Sequence, residues 1–217
     1  MKIGVFGGTF NPVHNGHLRA AEEARERLSL DKVLFVPSGV PPLKSRDLAP
    51  ASLRLEMVAR AVAGNPYFEV IDLECRKPGK SFTVRTLELL GETYRGADLA
   101  FLLGIDAFLD IPNWREPERL ITLADFVILS RPGGKFASLC KSPYLRLGRK
   151  AAADLDKGAA DSLSLRLSAD TAAVLMRIMP LAISSSDLRE RLGKRHSIKY
   201  LLPEEVESFI ISKNLYQ

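Results

Sequence analysis

The sequence predicts an α/β fold in which helices cover both faces of a doubly wound parallel sheet and a small C-terminal helical part follows. Two observations support this prediction. Short apolar runs alternate with amphipathic helical patterns along the chain, which is typical of parallel sheets. The segments rich in glycine, histidine or serine each follow an apolar run directly, as ligand-binding loops follow the carboxyl ends of strands in open sheets.

The elements follow from these patterns in order. Apolar runs predict strands at residues 3–6, 32–37, 68–73, 99–103, 126–129 and 174–179. Patterns of helical period predict helices at 18–28, 52–63, 83–90, 117–123, 187–192 and 203–211. Pro203 followed by two acidic residues is a sound start for the last helix. The segment 138–167 has no clear pattern, and we expect a helix and a loop inserted before the last strand.

Length, apolar runs and cysteines limit the class of protein. The 217 residues can bury one full core. The apolar runs are far shorter than the about 20 residues of a membrane span, and the N-terminus shows no signal-peptide pattern. We therefore expect a cytoplasmic protein with no membrane partner. Cys75 and Cys140 lie far apart in no metal-like spacing, so we expect reduced packing residues.

The net charge of +5 comes wholly from residues 131–217. A positive surface of this kind attracts polyanionic ligands such as nucleotides. Alternatively, Arg146, Arg149 and Lys150 form the solvated face of a helix. No aromatic residues interleave with these charges as a nucleic-acid platform requires, so no nucleic-acid partner is expected.

The most informative segment is Gly7-Gly8-Thr9-Phe10-Asn11-Pro12-Val13-His14-Asn15-Gly16-His17, which lies between a predicted strand and a predicted helix. Adjacent glycines permit close approach to the backbone, and the helix directs its positive end to the same space. These features predict a phosphate site. A plain turn, a zinc site lacking its third ligand, and packing or capping by one histidine are the alternatives. The glycine spacing does not match the dinucleotide fingerprint, which disfavours a dehydrogenase.

A second candidate phosphate site is Ser184-Ser185-Ser186 with Arg189, between the last strand and a helix. A simple helix cap is the alternative there. Trp114 lies between polar neighbours and suits stacking on a flat heterocycle, although core packing would explain it as well. Asp106 could instead cap a helix, and Lys44 and Arg131 could be solvated charges.

Together these motifs resemble the nicotinate mononucleotide adenylyltransferases, a family of Rossmann-like nucleotidyltransferases. The 7–17 segment is similar to the GGTFDPxHxGH signature, and Ile183 to Arg189 to the ISSTxIR signature. The resemblance covers nearly the whole chain except about residues 135–177. The shorter segments that also carry it are Pro41 to Lys44, Ser81 to Thr83, Leu103 to Asp106, Trp114-Arg115 and Arg131 to Gly133.

The resemblance implies roles for individual residues. It implies catalysis by His14, His17 and Arg189. The residues implied to bind ATP are Gly7, Gly8, Thr9, Phe10, His14, His17, Gly104, Asp106, Ser184, Ser185, Ser186 and Arg189. The residues implied to bind nicotinate mononucleotide are Thr9, Lys44, Thr83, Trp114, Arg115 and Arg131. No protein metal site is expected, and Mg²⁺ would arrive with ATP.

The resemblance also divides the chain into a nucleotide-binding part at residues 1–183 and a helical part at 184–217, and a homo-oligomer is possible. Three positions depart from the family pattern: Asn11 replaces an acid, Leu43 a histidine and Phe82 a tyrosine. The first puts a structural or phosphate-orienting carboxylate in doubt. Nicotinamide mononucleotide or phosphopantetheine adenylyltransferases, and a non-catalytic nucleotide sensor, are the alternative functions.

Overall fold

The computed structural model describes residues 1–41, 48–76 and 79–217. Its described part contains a seven-stranded sheet in the order β3-β2-β1-β4-β5-β7-β6, parallel except for β6, which runs antiparallel to β7. The strands are β1 Lys2–Gly8, β2 Lys32–Pro37, β3 Phe68–Val70, β4 Asp98–Gly104, β5 Asp125–Leu129, β6 Ser162–Arg166 and β7 Ala172–Met176. The predicted α/β class with a doubly wound sheet is confirmed.

Eight α-helices lie in the described part of the chain. They are α1 Asn15–Leu28, α2 Ala51–Val62, α3 Thr83–Thr93, α4 Ile105–Leu109, α5 Pro117–Leu120, α6 Arg149–Lys157, α7 Ser185–Gly193 and α8 Glu204–Ser212. Short 3₁₀ turns span Ile111–Asn113 and Phe136–Lys141. None of these helices is long and apolar enough to cross a bilayer.

Two apolar clusters occupy the two faces of the sheet. One lies under α3 to α6 and includes Phe101, Phe108 and Phe126. The other lies under α1, α2, α7 and α8 and includes Phe35 and Met57. The helices of residues 185–217 therefore share a core with those of the N-terminal half, which fixes the serine segment relative to the histidine segment.

The order of the strands places the candidate site. From the centre of the sheet, β1 leads outwards to β2 and β3, and β4 leads the other way to β5. The carboxyl ends of β1 and β4 therefore flank the point at which strand order reverses, where open α/β sheets bind ligands. Gly8 ends β1 and Gly104 ends β4. The two loops that follow border the same crevice.

Four predictions about the elements are wrong in detail. The helix predicted at 117–123 ends at Leu120. The strand predicted at 68–73 ends at Val70, because β2 offers it partners only from Val33 to Phe35. The strand predicted at 174–179 spans 172–176. The segment 138–167 holds the expected helix, α6, but also the unexpected edge strand β6.

Candidate active site

The two histidines of the signature loop lie face to face at the start of α1. His14 is the N-cap residue and His17 is the third residue of the helix. Their rings stack with centroids 3.7 Å apart, and the backbone N–H of His14 donates to Nδ1 of His17 at 3.3 Å. A neutral imidazole that accepts at Nδ1 carries its proton on Nε2. His17 can therefore donate from Nε2 to an anion at the helix N-terminus.

His14 is buried, and its environment keeps it neutral. Burial lowers the pKa of His14 to about 4. Its Nδ1 atom is buried and has no hydrogen-bond partner among the residues that the structure describes. Gly16 makes room for this ring, because a Cβ there would lie 3.0 Å from Nδ1 of His14. A buried polar atom without a partner is costly in a folded protein.

The low pKa of His14 predicts that the fold loses stability in mild acid. The pKa falls from 6.5 to about 4 on folding, so between these values the unfolded chain binds more protons. The free energy of unfolding therefore does not change through His14 above pH 6.5 and decreases as pH falls from 6.5 towards 4. At about pH 5 the decrease is about 2 kcal/mol. Urea denaturation near neutral pH and in mild acid measures this loss.

The control for that experiment is His14→Gln, which cannot titrate. Burial raises the pKa of Glu74, which acts in the opposite direction in acid, so only the difference between wild type and variant reports His14. A variant that loses as much stability in acid as the wild type would contradict the assignment.

The glycines that end β1 accommodate aromatic rings. A Cβ on Gly8 would lie 2.9 Å from Cζ of Phe10, and one on Gly7 would lie 3.2 Å from the Phe101 ring. Phe10 adopts a positive φ of 48° and is buried, and its ring contacts that of His17 edge-on at 5.1 Å. The glycines therefore let Phe10 fold back and support His17. Contact between a phosphate and the backbone of Gly7 and Gly8 stays a prediction.

The serine segment is joined to the signature loop. Ser184 is the N-cap of α7, and its Oγ accepts from the N–H of Asp187 at 3.1 Å. The Ser185 hydroxyl donates to the carbonyl of Pro12 at 2.8 Å, and Nη1 of Arg189 donates to the carbonyl of Asn11 at 2.8 Å. The capping alternative is correct for Ser184, while Ser185 and Arg189 connect both signatures.

Ser186 and Arg189 border a cavity of about 780 Å³, whose other lining residues are Leu48, Ala49, Glu190, Asn214, Leu215, Tyr216 and Gln217. The N-terminus of α7 opens beside them, and helix N-termini favour anions. This arrangement provides a hydroxyl and a guanidinium next to open space. Both groups are the kind that bind phosphate oxygens.

Asn11, which departs from the family pattern, has a structural role. Its buried Oδ1 accepts from the N–H of Ala49 at 3.1 Å and from the hydroxyl of Tyr216 at 2.7 Å. An amide oxygen accepts both bonds without adding a buried negative charge. The neutral side chain therefore holds the loop without placing a carboxylate beside Arg189, which bonds the Asn11 carbonyl.

Asp106 and Arg131 form one ion pair rather than two separate sites. Nη1 of Arg131 lies 2.7 Å from Oδ2 of Asp106, and both side chains are exposed by more than half. Asp106 lies in the first turn of α4, just beyond Gly104 at the end of β4. An exposed pair of this kind contributes little to stability, so both groups can exchange partners when a ligand arrives.

The aromatic part of the site lies by α3. Trp114 is half-buried, donates from Nε1 to Oδ2 of Asp110 at 3.1 Å and meets Phe101 edge-on. The guanidinium of Arg115 lies 4.8 Å above the ring of Phe82, and Thr83 begins α3. The packing alternative for Trp114 is confirmed, because one edge packs against the core and the ring keeps an exposed part. Stacking on a flat heterocycle stays a prediction.

Two predicted features lie outside the described residues, namely Lys44 and the departure at Leu43. One important residue was missed by sequence reasoning. Arg54 is fully buried in α2 and bonds the carbonyl of Thr9 at 2.8 Å. A signal was present, because Arg54 precedes the core residues Met57 and Val58 at helical spacing. A charged residue on an apolar face indicates a specific partner.

The comparisons with known proteins agree with this geometry. The model of the cytidylyltransferase-like family matches residues 5–191. A probable nicotinate-nucleotide adenylyltransferase of Trichlorobacter lovleyi is 42% identical over 100% of both chains. One of Desulfitobacterium hafniense is 41% identical over 100% of this chain and 96% of its own.

Among solved structures, nicotinic acid mononucleotide adenylyltransferase of Plasmodium falciparum complexed with NaAD superposes with a TM-score of 0.74 and 22% identity, over 99% of this chain and 97% of that one. At this identity the likeness concerns the fold. A doubly wound sheet with histidine and serine signatures at its switch point is the architecture of an α/β nucleotidyltransferase. The chain belongs to the cytidylyltransferase-like family, as one of its nicotinate-nucleotide adenylyltransferases.

Proposed function

We propose that the protein transfers AMP from ATP to nicotinate mononucleotide, which yields nicotinate adenine dinucleotide and pyrophosphate in NAD biosynthesis. The observation that carries the proposal is the convergence of the histidine pair and Arg189 on one loop, 11–17, at the switch point of the sheet. The full-length relatives with this activity in their names support it.

This arrangement supports the following reaction. A phosphate oxygen of the mononucleotide attacks the α-phosphorus of ATP in line, and the new O–P bond forms as the bond to the β-phosphate oxygen breaks. Pyrophosphate leaves with the electron pair. The protein contributes positioning and charge stabilisation, which dominate such transfers. His17 would donate from Nε2 to an α-phosphate oxygen, and His14 would supply a second donor beside it.

Ser186 and Arg189 would bind the β- and γ-phosphates that become the leaving group. In the same proposal, Gly104 and Asp106 lie on the adenosine side, while Thr83, Trp114, Arg115 and Arg131 lie on the mononucleotide side. The ion pair between Asp106 and Arg131 at 2.7 Å supports placing the two sides next to each other. Residues 1–183 would bind the nucleotides, and the 184–217 part would add the serine and arginine groups.

Mg²⁺ belongs to the proposal through ATP, whose phosphates bind it. The described residues contain no group of three or more histidine, cysteine or carboxylate side chains suited to a metal. In this proposal the ion is held mainly by ATP and water. A cytoplasmic location and a homo-oligomeric state remain predictions from the sequence.

The choice of acceptor tests the nicotinate assignment. Backbone N–H groups at the start of α3 and near Arg115 would donate to the nicotinate carboxylate, whereas a carboxamide presents an NH₂ that leaves a donor unpaired. An unpaired buried donor costs about 1 to 3 kcal/mol. We expect nicotinate mononucleotide to be preferred over its amide by at least about tenfold in kcat/KM.

Trp114→Ala is the matched variant for this comparison. Because either pyridine ring can stack on an indole, the variant should weaken both acceptors and leave their ratio nearly unchanged. Steady-state kinetics with both acceptors measures this ratio. Equal efficiency on the two acceptors, or a preference for the amide, would refute nicotinate specificity and leave adenylyl transfer intact.

A further inference from the structure

Arg54 lies at the junction of three segments that border the crevice. Its guanidinium is fully buried. Nη1 donates to the carbonyl of Thr9 at 2.8 Å, Nη2 to the carbonyl of Gly39 at 2.6 Å and Nε to the carbonyl of Ala49 at 2.9 Å. One side chain thus binds the loop after β1, the loop after β2 and the residues that precede α2.

The three acceptors are neutral carbonyl groups. They offset the unfavourable desolvation free energy of a buried guanidinium less than a carboxylate would, so fold stability alone does not explain an arginine here. Burial lowers the pKa of Arg54 in spite of the nearby Glu74 carboxyl, because taking a charge out of water is destabilising. Apolar residues often replace buried charges without loss of stability. A planar fork, however, is able to reach three carbonyls from three segments at once.

The loops that Arg54 joins lead to the residues proposed to bind the substrates. The Ser38 N–H donates to the carbonyl of Gly8, so the two loops leave the sheet side by side. Thr9 then begins the histidine loop. Gly39, in the loop after β2, lies on the side of α3, and its N–H donates to Oγ of Ser81 at 2.9 Å, just before α3 begins. The peptide groups of Gly39 therefore connect Arg54 with the segment beside Thr83.

There is little free space around this junction. A Cβ on Gly39 would lie 2.2 Å from the carbonyl oxygen of Glu74, so only glycine fits. The Glu74 carboxyl accepts from the hydroxyl of Thr86 in α3. A shift of the Gly39 peptide would thus be transmitted to the start of α3. The bonds of Arg54 hold that peptide in place from the other side.

We propose that Arg54 is a positioning residue that holds the phosphate side of the site, through Thr9, in register with the mononucleotide side, through Gly39 and Ser81. The inference rests on the proposed function for its kinetic consequence only. Because a misplacement of about 1 Å between reacting groups costs about 100-fold in rate, loss of this register should lower kcat rather than the affinity for either substrate alone.

The test compares Arg54→Lys and Arg54→Met with Met57→Ala. Met57 is fully buried one turn further along α2, in the apolar cluster, and serves as a control for lost helix packing. We expect both Arg54 variants to lose about 10- to 100-fold in kcat, with KM for ATP and for the mononucleotide changed by less than about threefold. Met57→Ala should lower Tm at least as much yet retain kcat below its Tm.

Lysine is the critical replacement, since it keeps the positive charge but cannot reach three carbonyls. An Arg54→Lys variant with kcat within threefold of wild type would overturn the proposal, as would an equal loss of kcat in Met57→Ala. If Arg54→Met does not fold, Ser81→Ala takes its place, because it removes the acceptor of the Gly39 N–H. Unchanged kcat in both Ser81→Ala and Arg54→Lys would also overturn it.

A substrate-free measurement separates this inference from the proposed function. Hydrogen exchange of the amides in residues 8–14 and 38–41 should be faster in Arg54→Lys than in Met57→Ala. If the wild-type protein showed no adenylyl transfer, the proposed function would be refuted. Faster exchange in Arg54→Lys would still support the role of Arg54 in holding the two sides of the site in register. Equal exchange in the two variants would refute the role of Arg54 whatever the reaction is.

Discussion

Replacing His17 with alanine is expected to lower turnover by at least about 100-fold, because a donor to the reacting phosphate would be lost from a preorganised position. The ring is held from two sides, by the N–H of His14 at its Nδ1 and by the edge of Phe10. This support holds the ring in one orientation at the helix start. We expect His14→Ala to behave similarly, with a larger effect on ATP affinity.

The control for His17→Ala is His196→Ala, which removes an exposed imidazole beyond α7. Steady-state turnover and thermal unfolding should be measured for both variants. Near-normal turnover of His17→Ala would remove this histidine from the mechanism. A loss of turnover that followed a loss of folded protein would show a role in packing with Phe10 instead.

Arg189→Ala is expected to weaken ATP binding by about 10- to 100-fold and the mononucleotide much less, because in the proposed function the guanidinium would pair with the leaving phosphates. One of its nitrogens already donates to the carbonyl of Asn11, and this bond orients the rest of the fork towards the open space by Ser186. Arg189→Lys should restore only part of the affinity, since a point charge cannot reproduce the fork.

Arg191→Ala is the matched control on the same helix, because its guanidinium donates to the carbonyl of Ser197. Titration calorimetry with ATP and with the mononucleotide measures the effect of both variants. Equal weakening of the two substrates by Arg189→Ala would place the arginine elsewhere. An effect of Arg191→Ala as large as that of Arg189→Ala would indicate a general loss of positive potential.

The fold was predictable because the signals of the central strands are local. β1, β2, β4 and β5 are buried apolar runs, and their alternation with helices indicates a parallel sheet. The edge strand β6 was missed because its sequence, Ser-Leu-Ser-Leu-Arg, is short and half-exposed and is stabilised by pairing with β7 alone. Such a strand depends on tertiary context rather than on its own residues.

The candidate site was predictable where its residues are adjacent in sequence. The stacking of His14 on His17 follows from a spacing of three at a helix start. The bonds from Tyr216 to Asn11 and from Arg54 to Gly39 join residues far apart in the chain, and no local pattern shows them. The positive φ of Phe10 was equally hidden, because it depends on the space left by Gly8.

We expect this chain to join AMP to nicotinate mononucleotide at the histidine loop. The most direct test incubates purified protein with ATP and Mg²⁺, with and without nicotinate mononucleotide, and quantifies pyrophosphate and dinucleotide together. We expect equal amounts of pyrophosphate and nicotinate adenine dinucleotide, and neither product when the mononucleotide is omitted. Pyrophosphate released without the acceptor, or no dinucleotide in its presence, would contradict the account.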